Sequence, residues 1–301
     1  MAATTVLKVG FVPEHFSTPL QFAQIYQMYE KHGVKVELIP YLAGSGHLIQ
    51  SLGDGSIDIA VGLTEAFIRG IANGEESYRL VGTYVDSPLR WAVSSGASRS
   101  DIIKVSDLQN KRIGVSRIGS GSYVMSFVLG LQQEFKAPFY EKFPICSTFK
   151  NLRDSVNLKS EDPSMNSDAF MWEYFTSKKY YDSGEIKMIG EIYTPWPSWV
   201  INARTGVDQG AIDQFMNAVN EGVEYFNQHP QEAIKWIYTN LDYSEEDASE
   251  WIKTVSFSKD VTVIDWDKVV VNTKKVLQTA EVLKDDDEVI ESRLMKFVVK
   301  K

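Results

Sequence analysis

Six polar segments in this chain have residue types that could do chemistry, and each follows a stretch that reads as a β-strand. "PEHFST" carries Glu14 and His15, "LAGSGH" carries Ser45 and His47, and "TE" is Thr64 and Glu65. "SRIGSGSY" carries Ser116, Arg117, Ser120 and Ser122; Trp172 and Glu173 follow "DAFM"; "TPWPSW" holds Thr194, Trp196 and Trp199. Hydroxyls and free backbone N–H groups at a helix start hold anionic or polar groups. Carboxylates accept from amines, and indoles offer flat stacking faces. Each segment also has an ordinary structural use. Gly119–Ser122 reads equally as a tight turn with Ser120 or Ser122 as N-cap. Glu65 suits any first helical turn, and Trp172 and Trp196 suit a core.

Several chemistries are excluded or disfavoured. There is no G-x-S-x-G elbow, no G-x-x-x-x-G-K-[ST] loop and no G-x-G-x-x-G fingerprint. His15 and His47 lack any HxxxH or HxH spacing, so no metal and no cofactor is expected. Cys146 is the single cysteine, which rules out an intramolecular disulfide and Cys-based metal sites. The formal charge of -9, from 31 Lys+Arg and 40 Asp+Glu, argues against a nucleic-acid partner. No apolar run approaches the roughly 20 residues that cross a bilayer, so no membrane insertion is expected. "MAATTVLKVGFVPEH" has no basic n-region or apolar h-region. A cytoplasmic location is therefore expected, or a periplasmic one if a signal peptide has been removed.

The elements that must position these residues alternate. "VLKVGFV" is a strand, and "STPLQFAQIYQMYEKHG" a helix with Thr18 as N-cap, Pro19 at N1 and Gly33 at C′. "VKVELIPY" is a strand, "GSGHLIQSLGDG" a helix capped by Ser45, "SIDIAVGL" a strand, and Thr64 caps "EAFIRGIANG". The alternation predicts an α/β fold with a parallel sheet. It continues through "YRLVGTYV", "LRWAVSSG", "RIGV", the helix "GSYVMSFVLGLQQEF", the strand "KFPICSTF", the helix "NLRDSVNLKS", the strand "SDAFMW", the helix "EYFTSKKYYDSG" and two more strands. After about residue 207 the pattern is helical, with a break near His229–Pro230. No repeat of fixed period is visible.

This order resembles the type II periplasmic-binding-protein superfamily, in its nitrate, sulfonate and thiamine-pyrimidine-precursor branch. Gly55, Asp58, Ala60, Val61 and Gly62 of "GSIDIAVG" and Asp107–Val115 of "DLQNKRIGV" carry the likeness. It extends over about residues 6 to 200, and "GSGSY" and "WEYF" with "PWPSW" look particular to a subgroup with fungal and bacterial members. The resemblance implies two lobes, 1–90 plus 195–301 and 91–194. A hinge of two crossover strands and a helical C-terminal part would complete the fold, with a ligand cleft between the lobes. Carried over residue by residue, it implies ligand contacts from Glu14, His15, Ser45, Gly46, Thr64, Glu65 and Trp196. From the second lobe it implies Ser116, Arg117, Ser120, Gly121, Ser122, Asp168, Trp172 and Glu173.

The expected function is binding of a small polar or zwitterionic ligand, a pyrimidine-like ring among the candidates, by hinge closure and without catalysis. The alternatives are an enzyme of heterocycle or cofactor-precursor metabolism using the same cleft, and a solute receptor with an ABC transporter as partner. The superfamily's thiamine-pyrimidine synthases consume one of their own histidines and carry a cysteine-rich stretch. The matching window "VGLTEAFIRG" has no histidine, and this chain has only Cys146, which argues against that chemistry.

Overall fold

The structure, a computed structural model, describes residues 6–42 and 44–299. The chain forms two compact units. One comprises the chain up to Ser87, Trp196–Lys274 and the chain from Leu283; the other comprises Pro88–Pro195 and Lys275–Val282.

The first unit opens with β1 (Val6–Phe11), α1 (Thr18–Ile25), α2 (Met28–Lys31), β2 (Lys35–Pro40), α3 (Ser45–Gly53), β3 (Ile59–Leu63), α4 (Thr64–Ala72) and β4 (Tyr78–Val85). The second holds β5 (Arg90–Gly96), β6 (Ile113–Gly114), α5 (Gly121–Gln132), α6 (Phe149–Val156), β7 (Ala169–Glu173), α7 (Tyr174–Asp182) and β8 (Ile186–Tyr193). β9 (Trp199–Arg204), α8 (Gln209–Gln228), α9 (Pro230–Asn240), α10 (Glu245–Trp251), α11 (Asn272–Thr279) and α12 (Asp287–Phe297) complete the chain. No helix among the described residues is long and apolar enough to cross a membrane.

The helix starts differ in detail from expectation. Residues His15–Ser17 form a 3₁₀ turn, Ser17 rather than Thr18 is the N-cap of α1, and the Thr18 hydroxyl donates back to the His15 carbonyl at 2.7 Å. The single helix expected over "STPLQFAQIYQMYEKHG" breaks at Gln27, whose φ of 55° lies in the left-handed region. Gly44, with φ 72°, precedes α3 in place of a Ser45 cap; the Ser45 hydroxyl accepts instead from the Leu63 N–H at 2.9 Å. Thr64 is the first residue of α4, after Leu63 as N-cap, and its hydroxyl donates to the Pro197 carbonyl. The break at His229 and the start of α9 at Pro230 match the reading of the sequence.

Both sheets are mixed rather than parallel. The first runs β2-β1-β3-β9-β4, with β1 parallel to β2 and β3, and β9 antiparallel to β3 and β4. The second runs β6-β7-β5-β8, with β6 parallel to β7 and β5 antiparallel to both its neighbours. β9 and β5 therefore lie in the sheet interior, each between two strands that precede or follow it distantly in the chain. The strand expected over "KFPICSTF" is reduced to two bridges with the β6 region, Arg112–Lys142 and Val115–Ile145.

The two units repeat one plan, which the sequence hides. β1, β3, β9 and β4 correspond to β6, β7, β5 and β8 in order and direction. At a constant offset, Asp58 matches Asp168, Gly74 matches Gly184 and Glu75 matches Glu185. Asp58 precedes β3: its Oδ2 accepts from the Lys8 N–H at 3.0 Å, its Oδ1 pairs with Arg204 at 2.6 Å, and its own N–H donates to the Lys8 carbonyl at 2.8 Å. Asp168 precedes β7 and does the same with the Arg112 N–H at 2.9 Å, Arg99 at 2.6 Å and the Arg112 carbonyl at 2.7 Å. Each clasp fixes the start of a central strand to one parallel neighbour and to an arginine of an antiparallel one, Arg204 at the end of β9 and Arg99 just past the end of β5.

Removing either carboxylate strands a strand-end N–H and a partly buried guanidinium. Asp58→Ala and Asp168→Ala should each lower the unfolding free energy by about 2 kcal/mol, read by urea denaturation at neutral pH. A variant as stable as the parent would show that its clasp contributes nothing.

Candidate functional site

In the first unit the carboxyl ends of β1 and β3 and the start of β9 lie at one edge of the sheet, because β9 runs antiparallel to β3 with Trp199 opposite Leu63. Thr64 is clipped to the segment before β9 through its hydroxyl on Pro197 and its N–H on the Ser198 carbonyl at 3.1 Å. That contact holds Glu65, the second residue of α4, against Trp196. Glu65 is 1% exposed, and its Oε2 accepts from the Trp196 indole N–H at 3.2 Å. Its Oε1 is buried and has no hydrogen-bond partner among the described residues. Burial pushes the carboxyl up to about 7, against the smaller opposing pull of its backbone N–H, the Trp196 indole and Arg69. Arg69 sits one helical turn on, yet no ion pair joins it to Glu65 among the described residues. Its own Nε is buried without a partner, and burial pulls the guanidinium down.

Gly46 and Ser45 open α3 beside this edge, with the Ser45 hydroxyl committed to Leu63. Glu14 is half-buried, and its carbonyl takes both the N–H and the hydroxyl of Ser17, at 2.8 and 2.7 Å. The His15 ring is fully enclosed, stacked on Tyr243 at 4.5 Å and Trp251 at 4.3 Å between centroids. Burial pulls its imidazole well below the usual histidine range, so the ring is neutral packing material.

In the second unit, Ser120 is the N-cap of α5, which settles the choice between Ser120 and Ser122. Its hydroxyl accepts from the Tyr123 N–H at 3.3 Å and pairs with the Ser122 hydroxyl at 2.9 Å; Ser122 Oγ also accepts from the Ser116 N–H at 3.2 Å. The pair uses one of two O–H protons, which leaves one for another acceptor. Gly119 makes the turn with φ 75°, a conformation glycine adopts without strain. Gly121 begins the helix, and Arg117 is exposed.

Glu173 is 6% exposed and caps α7: its Oε2 accepts from the Thr176 N–H at 2.7 Å and the Thr176 hydroxyl at 2.9 Å. Burial pushes this carboxyl up to about 7, opposed by the Thr176 and Phe175 N–H groups, the Thr176 hydroxyl and Arg90. Trp172 stacks on Phe149 at 4.8 Å and packs on a core cluster with Cys146, Leu152 and Phe170. Asp168 does not join Glu173. It stands at the opposite end of β7, roughly 16 Å away at the usual rise of a strand, and both its oxygens serve the clasp.

Reading the sequence alone passes over Arg69 and Trp91, and it names Trp199 without its equivalence to Trp91. Trp199 lies opposite Leu63 and Trp91 opposite Glu173, so they occupy equivalent places. Each has a buried indole N–H without a partner among the described residues. For Arg69 the one available signal is its i,i+4 spacing from Glu65.

Residues 91–192 match the family model described as Ca3427-like PBP, and residues 15–133 the one described as NMT1/THI5 like. No curated protein matches the chain. A solved structure of the conserved Candida albicans CA3427 gene product, described as defining a new family with the generic periplasmic binding protein structural fold, is 52% identical to this chain. The match covers 99% of this chain and 97% of that one, with a TM-score of 0.92. The alkanesulfonate-binding protein SsuA from Xanthomonas axonopodis pv. citri, bound to MOPS, is 13% identical over 100% of both chains, with a TM-score of 0.76. The periplasmic nitrate-binding protein NrtA from Synechocystis PCC 6803 is 15% identical over 98% of this chain and 86% of that one, with a TM-score of 0.69. The last two likenesses show the fold alone.

The raised carboxyl of Glu65 has a consequence for stability. An acid whose folded value of about 7 exceeds its ordinary 4.5 stabilises the fold at low pH, and that contribution is lost as the pH rises through about 7. Glu173 acts in the same sense and His15 in the opposite one, so the net curve mixes all three and a difference curve isolates Glu65. Glu65→Gln should gain on the parent by about 3 kcal/mol between mildly acidic and mildly alkaline pH, measured by urea denaturation of ligand-free protein. Parallel curves would show that Glu65 titrates normally.

Proposed function

Because this chain belongs to the family that the Candida albicans CA3427 gene product defines, we propose that it binds a small polar or zwitterionic organic molecule and releases it unchanged. A pyrimidine-like ring is among the candidates. The observation that carries this reading is the buried, unpartnered Oε1 of Glu65 beside the Trp196 indole. Buried polar atoms are nearly always satisfied, and in α/β folds ligands gather at the carboxyl ends of strands. In support, two neighbours of the same fold are named for the alkanesulfonate and nitrate they bind. In the second unit the start of α5, with the spare Ser120–Ser122 proton and the helix N–H groups, suits a carboxylate or another strong acceptor. Ser116, Arg117 and Gly121 frame that surface.

Thermal-shift titration of ligand-free protein with aminopyrimidines, amino acids, aromatic carboxylates, sulfonates and nitrate tests the reading. A ligand at about 100 times its Kd adds roughly 2.7 kcal/mol, a rise of several degrees in Tm. The hit should be recovered with its mass unchanged, and Glu65→Lys should remove the shift. A change of mass on incubation would replace binding with catalysis.

A further inference from the structure

The repeated plan of the two units provides an internal control on the two buried glutamates. At the turn from central strand to following helix, one unit has Leu63-Thr64-Glu65 and the other has Glu173-Tyr174-Phe175. Glu173 is the N-cap of α7, and its carboxylate satisfies the Thr176 N–H and hydroxyl. The fold itself employs it. Glu65 caps nothing, since Leu63 holds the N-cap position of α4. Its counterpart Phe175 is also buried, at 4% exposure. The same turn is therefore built with an aromatic ring where the first unit has an acid, so its geometry does not call for a carboxylate.

Keeping an acid there carries a desolvation cost that a structural role would have to offset. The surroundings offset little of it. Trp196 supplies one neutral N–H to Oε2, Arg69 forms no ion pair with it, and Oε1 has no partner among the described residues. What Oε1 lacks is a hydrogen-bond donor.

We infer that Glu65 is the counter-charge for an N–H-donating cation on the ligand: a protonated amidine, an amino-substituted heterocycle or an amine. This rests on the binding role proposed above and narrows it. An amidinium or aminoheterocycle would bring the charge-assisted hydrogen bond that Oε1 lacks, and such bonds are among the stronger ones. An anion brought to the same place would meet a buried negative charge with no paired cation, and repulsion rises steeply where water is excluded. The inference therefore separates this chain from SsuA and NrtA, which are named for anions.

Calorimetric titration of the full chain with benzamidine, its neutral isostere benzamide, 4-aminopyrimidine, methanesulfonate and nitrate tests it at mildly alkaline pH. Benzamidine should bind at least about tenfold more tightly than benzamide, and Glu65→Gln should erase that preference. The glutamine keeps an acceptor for the Trp196 indole, so folding of the variant is expected and is checked by its melting curve. Equal binding of benzamidine and benzamide, a preference that survives in Glu65→Gln, or tighter binding of methanesulfonate or nitrate would each overturn the inference. Absence of benzamidine binding at millimolar concentration would overturn it too. A neutral or anionic hit in the wider thermal-shift series would then leave the binding role standing, whereas no hit at all would remove both.

Discussion

Everything in each unit hangs from the clasp at the foot of its central strand. One aspartate ties that strand to the backbone of a parallel neighbour and to an arginine at or just past the end of an antiparallel one. Parallel and antiparallel strands have different hydrogen-bond spacing, so a strand that must pair one way on each side needs its register fixed. The carboxylate does so with two oxygens aimed in two directions. With the foot of the strand fixed, its other end is fixed too, and that end delivers Thr64 and Glu65 in one unit and Glu173 in the other.

The alternation of strands and helices, the helix at Pro230 and a serine cap at Ser120 or Ser122 were legible because each is written locally, in periodicity and capping residues. The mixed direction of the sheets was not. β9 and β5 pair with partners far away in the chain, and no local pattern encodes which way a strand will run. The repeat of the two units stayed hidden because it is conserved in role more than in residue. Lys8-Val9-Gly10 and Arg112-Ile113-Gly114 share one glycine, and the clasp arginines lie at unrelated distances from their aspartates.

The candidate residues divide along the same line. The position of Glu65 after a strand was readable, and so was its aptness for a first helical turn. Its isolation was not, because that depends on Arg69 failing to reach it. Asp168 looked equal to Glu173 in the sequence, five residues away, but a strand carries its two ends to opposite edges of a sheet. His15 looked like a loop residue open to a ligand. Tyr243 and Trp251, more than two hundred residues on, enclose it.

That enclosure makes the two units unequal in how freely they can change. The loop after β1 is locked by aromatic rings from α10, the segment before it and β9, so altering His15 or Phe16 disturbs Tyr243, Trp251 and Trp199 together. The corresponding loop after β6 leaves Arg117 and Ile118 exposed. Sequence drift among relatives should therefore collect around the second loop, while the first stays nearly frozen. Of two matching loops in the repeated plan, one is thus closed by packed rings and the other presents side chains to solvent.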